Sequence, residues 1–344
     1  MAYTTINKST DYFNTKLYTG NGGTQSITGV GFQPDLNWTK QRNVNQDNTL
    51  TDSIRGVGKL LFSSDTAAEN TDVNSLTSFN SDGFSVGTSG YMNTNSNTYA
   101  SWNWKANGAG SANTDGSISS TVSASATSGF SIVKWTGTGA NATVGHGLGV
   151  APKMILIKNT IDAVAWEVGH DAIGWTKKLR LNATDAEAVD SGAFNNTAPT
   201  SSVFSLGTNN TSNDSGDSMI AYCFAEKQGF SKFGSYVGNG SASSGTFVYT
   251  GFKPAYVMLK RSDTAGERWN IKDNKRDGYN QTDPVLTADS SGSEYDDAQM
   301  DLLSNGFKIR TSAVSTNASG GTYIYMAFAE APLVGTNNVP CTAR

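Results

Sequence analysis

Gly31-Phe32-Gln33-Pro34-Asp35-Leu36-Asn37-Trp38-Thr39-Lys40 decides the reading of this chain, because its pattern comes back twice. Gly149-Val150-Ala151-Pro152 leads to Lys158, and Gly251-Phe252-Lys253-Pro254 leads to Lys260; each proline precedes its lysine by 6 residues. Three of the 7 prolines hold this place. A recurrence at about 100 residues marks tandem units, longer than solenoid repeats. Proline and glycine suit a strand entry, where a fixed φ is tolerated and a missing ladder donor does little harm. Bulky residues then fall at even positions: Leu36 and Trp38, Met154 and Leu156, Tyr256 and Met258. The odd positions are Asn37 and Thr39 in the first copy, against Ile155 and Ile157, Val257 and Leu259 in the others. A continuous apolar run is covered on both faces, an alternating one on a single face. The first copy is therefore expected to leave one face wet.

Working outward, each copy is preceded by an apolar stretch and a Gly-x-Gly: Tyr12 to Gly22, Phe130 to Gly139 and Phe230 to Gly240. Strand, glycine turn and strand predict a hairpin. An aromatic strand follows around Phe84, Phe204 and Phe307, preceded by Asp82-Gly83 and Asn305-Gly306 in two copies, which suit a tight turn. Each unit closes on large residues alternating with smaller ones: Trp102 and Trp104, Tyr222 and Phe224, Met326 and Phe328. Short helices are predicted at 63–71 and 294–304. The expected fold is all-β: three tandem antiparallel β-sandwich, jelly-roll-like units. Their predicted bounds are an N-terminal arm 1–11, units 12–105, 129–228 and 229–330, a small-residue linker 106–128 that lets the first unit sit apart, and an extended tail 331–344 lying on a neighbouring subunit.

Length and composition agree with this reading. The 344 residues allow roughly two to three domains. Charged residues make up 16%, so polarity is carried by Gly, Ser, Thr and Asn, as in β-rich extracellular or virion proteins. A net charge of −4 leaves no basic footprint for nucleic acid. No apolar run reaches the ~20 residues that cross a bilayer, and the N-terminus lacks a signal-peptide pattern. The 2 cysteines, Cys223 and Cys341, cannot make a disulfide scaffold, which suits synthesis in a reducing cytoplasm.

The phrases Leu17-Tyr18-Thr19-Gly20-Asn21-Gly22, Ser78-Phe79-Asn80-Ser81-Asp82-Gly83-Phe84, Ala221-Tyr222-Cys223-Phe224-Ala225-Glu226 and Tyr325-Met326-Ala327-Phe328-Ala329-Glu330 carry a resemblance over nearly the whole chain. It resembles a tandem repeat found in virion proteins of marine bacteriophages, cyanophages among them. That resemblance implies a virion-surface protein made in the host cytoplasm, with other virion proteins as partners. By analogy it implies a homotrimer, as in phage fibres; one chain with its three units around a pseudo-threefold axis fits as well. It implies no catalytic residue.

The residues themselves offer little chemistry. His146 lies in a turn-like loop. His170, Asp52 and Asp273 stand 18 or 19 residues after their prolines, which points to a structural place shared by a histidine and two aspartates. No metal-ligand spacing and no cofactor motif is present. Glu226 and Glu330 are equivalent strand ends in different units, so a glycosidase pair in one pocket is not expected. Cys223 sits at a small packed position. Trp166 and Trp269 lie 14 and 15 residues after their prolines, which again points to structure. Trp175 and Tyr279, in unit-specific loops, remain as candidate glycan or receptor contacts. The expected function is a non-enzymatic tail fibre or adhesin that contacts the host surface. A capsid-decorating or collar protein is the alternative, and a glycan depolymerase ranks below both.

Overall fold

All three repeated lysines lie in central strands, with Pro34 and Pro152 just ahead of theirs and Pro254 inside its own. In this computed structural model, which describes residues 3–335 and 340–341, the strands are Leu36–Gln41, Met154–Asn159 and Phe252–Arg261. Each pairs on one side with its closing strand (Thr98–Trp104, Ser218–Phe224, Thr322–Pro332). On the other side lies the strand that follows it (Thr49–Asp52, Glu167–His170, Asn270–Asp273). The opening strands Phe13–Thr19, Phe130–Thr136 and Ser231–Val237 pair with the far side of the closing strands. All named pairings are antiparallel, and the same central order holds in the three sheets.

The expected hairpin across the Gly-x-Gly does not form. The opening strand pairs with the closing strand, whereas the strand after the glycines (Gln25–Thr28, Ala142–Gly145, Phe247–Tyr249) pairs with the aromatic strand. The glycine turn thus carries the chain from the central strands to a separate outer sheet in the first two units, and to the far edge of the same 8-stranded sheet in the third. Glycine is required there by close approach: a Cβ on Gly20 would lie 2.1 Å from the Thr94 carbonyl oxygen, and one on Gly137 2.0 Å from that of Asp214. Three fully buried asparagines pin the turn. Asn93 Oδ1 accepts from the Asn21 N–H, Asn213 Oδ1 from Thr138, and Asn317 Oδ1 from Asn239.

Even positions of the lysine strands face one buried cluster shared by all three units, including Trp38, Trp102, Trp104, Leu156, Tyr222, Tyr256 and Phe328. Phe13 and Phe328 stack across units at 5.1 Å between ring centroids. The second and first units also keep outer cores under their hairpins, around Ile155, Ile157 and Phe204 and around Leu60, Phe62 and Phe84. Burying these faces at roughly 25 cal/mol per Å² couples the folding of the three sheets, which the separate-unit expectation did not anticipate.

Several further expectations are corrected. The first lysine strand has no wet face: Asn37 and Thr39 are buried, with Asn37 Nδ2 donating to Ser101 Oγ and Asn103 Oδ1, and Thr39 Oγ1 to Asn37 Oδ1. Residues 106–128 are no loose linker. Asp35 accepts from the Ala106 and Gly108 N–H groups, and Ser111–Asn113 and Ser120–Ser125 extend the second sheet. The 63–71 segment is turn and short strand, and Tyr295–Leu303 is strand because Ala298, Met300 and Leu302 alternate into the core. The arm 1–11 packs on the third unit from Tyr3 onward, its phenol donating to the Gly251 carbonyl. The tail's described part folds on its own chain, with the Cys341 N–H donating to the Leu333 carbonyl; residues 336–339 and 342–344 lie outside the described residues.

Candidate functional site

Trp175 is not a surface contact. It is 6% exposed in the second unit's outer core, edge-on to Phe194 at 5.3 Å, with Nε1 3.4 Å from Asp171 Oδ1. A buried indole offers no face to a ligand, so that expectation is overturned. Tyr279 is 81% exposed, in the loop between Asn270–Asp273 and Thr282–Thr287 of the third unit. Trp166 and Trp269 reach across unit boundaries instead. Trp166 Nε1 donates to the Phe62 carbonyl at 2.8 Å and Trp269 Nε1 to the Arg180 carbonyl at 2.9 Å. Asn48 plays the same part in the first unit, Nδ2 donating to the Thr287 carbonyl at 3.1 Å.

The repeated lysines belong to these seams. Lys40 Nζ donates to the Ser291 carbonyl at 2.9 Å, Lys158 Nζ to that of Thr66 at 3.0 Å, and Lys260 Nζ to that of Thr184 at 3.4 Å. The first unit reaches the third, the second the first, and the third the second, so the contacts close a ring. Burial pushes each of the three ammonium groups down to about 8. Backbone bonds close the same ring: the Glu294, Glu69 and Glu187 N–H groups donate to the Arg42, Thr160 and Ser262 carbonyls.

The shared place of Asp52, Asp273 and His170 is also on the seams. Tyr222 donates to Asp52 Oδ2 at 2.8 Å, and Trp102 Nε1 to Asp273 Oδ2 at 3.1 Å. Arg55 and Arg276, which sequence reasoning passed over, pair with these carboxylates at 2.6 Å. Burial opposes the Asp273 charge, but Arg276 and backbone N–H groups hold its carboxyl below the usual range. At the third seam His170 Nδ1 accepts from the Ala172 N–H and Nε2 donates to the Tyr325 carbonyl. Complete burial pushes its imidazole down to about 4, so it is neutral at pH 7. The signal available in the sequence was the Asp-x-x-Arg spacing, 3 residues in both copies.

The other reactive side chains are engaged as well. His146 is buried, bonded to Thr200 and Leu148. Glu226 pairs with Lys232, and Glu330 with Lys253. Burial drives the Cys223 thiol far up, away from the reactive thiolate. Asp162, Asp214 and Asp217 bring carboxylate oxygens within 4.8 Å of one another in the second unit. Asn159 already donates to Asp217, and Asp214 accepts from the Ser215 N–H. Clefts of about 270 to 350 Å³ lie on the described surface.

A family model described as a domain of unknown function, DUF7483, matches residues 8–332. No curated protein matches the chain.

Proposed function

The chain belongs to the DUF7483 family, and we propose that it is a non-enzymatic surface protein of a bacteriophage particle, a tail fibre or adhesin that contacts the host cell. The observation that carries this reading is the closed ring of seams. Three lysines, two tryptophans and an asparagine each tie one sheet to the backbone of the next. Such a body is built to hold outer loops still, and binding loops work best on a rigid scaffold. The resemblance of its repeated phrases to those of phage virion proteins supports the setting.

One chain supplies three sheets around a shared core, which removes the need for a trimer to build one. On this reading the protein acts as a monomer, and light scattering after gel filtration should return the 36.3 kDa of a single chain. A mass three times larger would restore the homotrimer. The ringed arrangement also favours a second reading, a capsid-decorating or collar protein seated at a threefold position of the particle. Labelling and cryo-EM of intact virions decide between them: density at the tail tip supports the adhesin, and density over the capsid lattice replaces it with the decorating protein. Release of reducing sugar from host polysaccharide would overturn the non-enzymatic assignment.

A further inference from the structure

The repeat supplies its own control for deciding which surface features the fold needs. Trp269 corresponds to Trp166 and Asn48, each donating to a neighbouring unit's carbonyl. The two residues before it are Glu267 and Arg268, against Val164 and Ala165 in the second unit and Gln46 and Asp47 in the first. Glu294 corresponds to Glu187 and Glu69 by the backbone bonds they make. The residue after it is Tyr295, against Ala188 and Asn70. The seams form in all three units, so the fold does not require an aromatic ring or this charge set in the third.

These residues meet in one open cleft of about 320 Å³, lined by Glu267, Arg268, Asn270, Tyr295, Asp297 and Ser315 among others. That volume is at the lower end for small-ligand sites. Tyr295 is 43% exposed at the start of its strand. Arg268 is held in place by Asp289, whose side chain is 1% exposed, at 3.1 Å. Ser315 lines the cleft beside them, its hydroxyl oxygen turned away from solvent. Partial burial and then Asp297 raise the Tyr295 hydroxyl, Arg268 lowers it, and Asp289 and Glu267 raise it further.

We infer that this cleft is a subsite for one uncharged pyranose ring of a host surface glycan, which rests on the reading of the protein as a host-contacting one. An exposed phenol ring gives a flat apolar platform for the C–H face of a sugar. Carboxylates and a guanidinium fork take paired hydroxyls in two bonds each. Charge decides the class of sugar. Arg268 is already paired with buried Asp289, which leaves the Glu267 and Asp297 carboxylates lining the cleft, so uronic and sialic acids are repelled, whereas neutral hexoses and N-acetylhexosamines are not.

The test uses the full chain on an array of neutral, N-acetylated and acidic oligosaccharides, followed by calorimetry with the best-bound one. Binding confined to uncharged pyranoses is expected. Tyr295→Ala and Glu267→Gln should each weaken it at least tenfold, while Tyr295→Phe keeps it within about threefold. Glu267→Gln is a surface change, so it remains informative if Tyr295→Ala fails to fold. No retained glycan, retention of acidic ones only, or unaltered affinity in both variants would overturn the assignment. So would calcium binding to the free chain that Glu267→Gln abolishes and Tyr295→Ala leaves intact, which would make the cleft a cation site. Adsorption to host cells separates the two readings. Cell binding unchanged in both variants removes the subsite and leaves the attachment role, whereas sugar binding without cell binding removes the attachment role alone.

Discussion

Tyr222 donates its phenolic hydrogen to Asp52 Oδ2 at 2.8 Å, across the boundary between the second and first units. Trp102 does the same to Asp273 between the first and third. Residues at equal places in their units make equal bonds to the next unit, so the repeat acts on tertiary structure as well as on local structure.

That bond is expected to matter for stability more than for any surface property. Tyr222→Phe removes one donor and leaves Asp52 with Arg55 and two backbone N–H groups. The expected loss is about 1–2 kcal/mol. Asp52→Ala takes from Arg55, whose side chain is 2% exposed, its nearer carboxylate and leaves it Glu69 at 3.3 Å and the Leu50 carbonyl, so it should cost more, about 3 kcal/mol. Urea unfolding midpoints of the two variants check the ranking.

The lysine ring gives an alkaline signature. Lys158 has a folded value of about 8, below its ordinary 10.5. Between those values the unfolded chain binds more protons, so this lysine's contribution to stability rises with pH, by about 3 kcal/mol at most. Buried tyrosines such as Tyr222, whose hydroxyls burial raises, act the other way above pH 10. The expected outcome is that Lys158→Met unfolds at lower urea than the wild type and loses the rise between pH 8 and 10. Matched urea titrations at pH 7, 8, 9 and 10 measure it, and parallel pH slopes in the two proteins would count against the buried charge.

The three asparagines under the glycine turns predict local opening. Asn213 Nδ2 donates to the Ala140 carbonyl at 2.7 Å and to that of Gly207 at 3.0 Å, while its Oδ1 accepts from Thr138 at 2.9 Å. Asn213→Ala takes these bonds away and leaves the Ala140 carbonyl only the Thr138 hydroxyl, at about 1–3 kcal/mol. Hydrogen exchange should speed up at Thr138 and Gly139 before it changes in Met154–Asn159. Uniform acceleration over the whole second unit would mean that the asparagine supports the core instead.

Much of the fold was legible because strand periodicity is local. Closing strands such as Ser218–Phe224 announce themselves by alternation, and the three prolines mark strand entries. Pairing was not legible at the Gly-x-Gly, since a turn that changes layers and one that closes a hairpin use the same residues. The buried Asn37 and Thr39 misled for a related reason: polar side chains that satisfy one another on a ladder read as a wet face. The surface cleft was invisible in the chain because Arg268 and Tyr295 are 27 residues apart and only the sheet brings them together. Trp175 attracted attention by type alone, and burial cancelled it.

The third seam carries the last prediction. His170 stands where the other units have aspartate, and Ile173 stands where they have Arg55 and Arg276. Its folded value of about 4 lies below the ordinary 6.5, so the unfolded chain takes up the proton first as pH falls. Stability from this group is fully present above pH 6.5 and is lost on going down towards pH 4, by about 3 kcal/mol. His170→Asn, which keeps an acceptor for the Ala172 N–H, should flatten that limb of the urea midpoint against pH. His170→Asp alone buries a carboxylate without its arginine and should cost about 3–5 kcal/mol at pH 7. Adding Ile173→Arg restores the pair seen at Asp52 and Arg55. The double variant should therefore recover about 1–3 kcal/mol relative to the sum of the singles. Recovery stops short of wild type, because Met326 stands at the place of Tyr222 and Trp102 and has no hydrogen to donate to the new carboxylate. Strict additivity of the two changes would show that the third seam is held by packing and owes nothing to the place it shares with the other two.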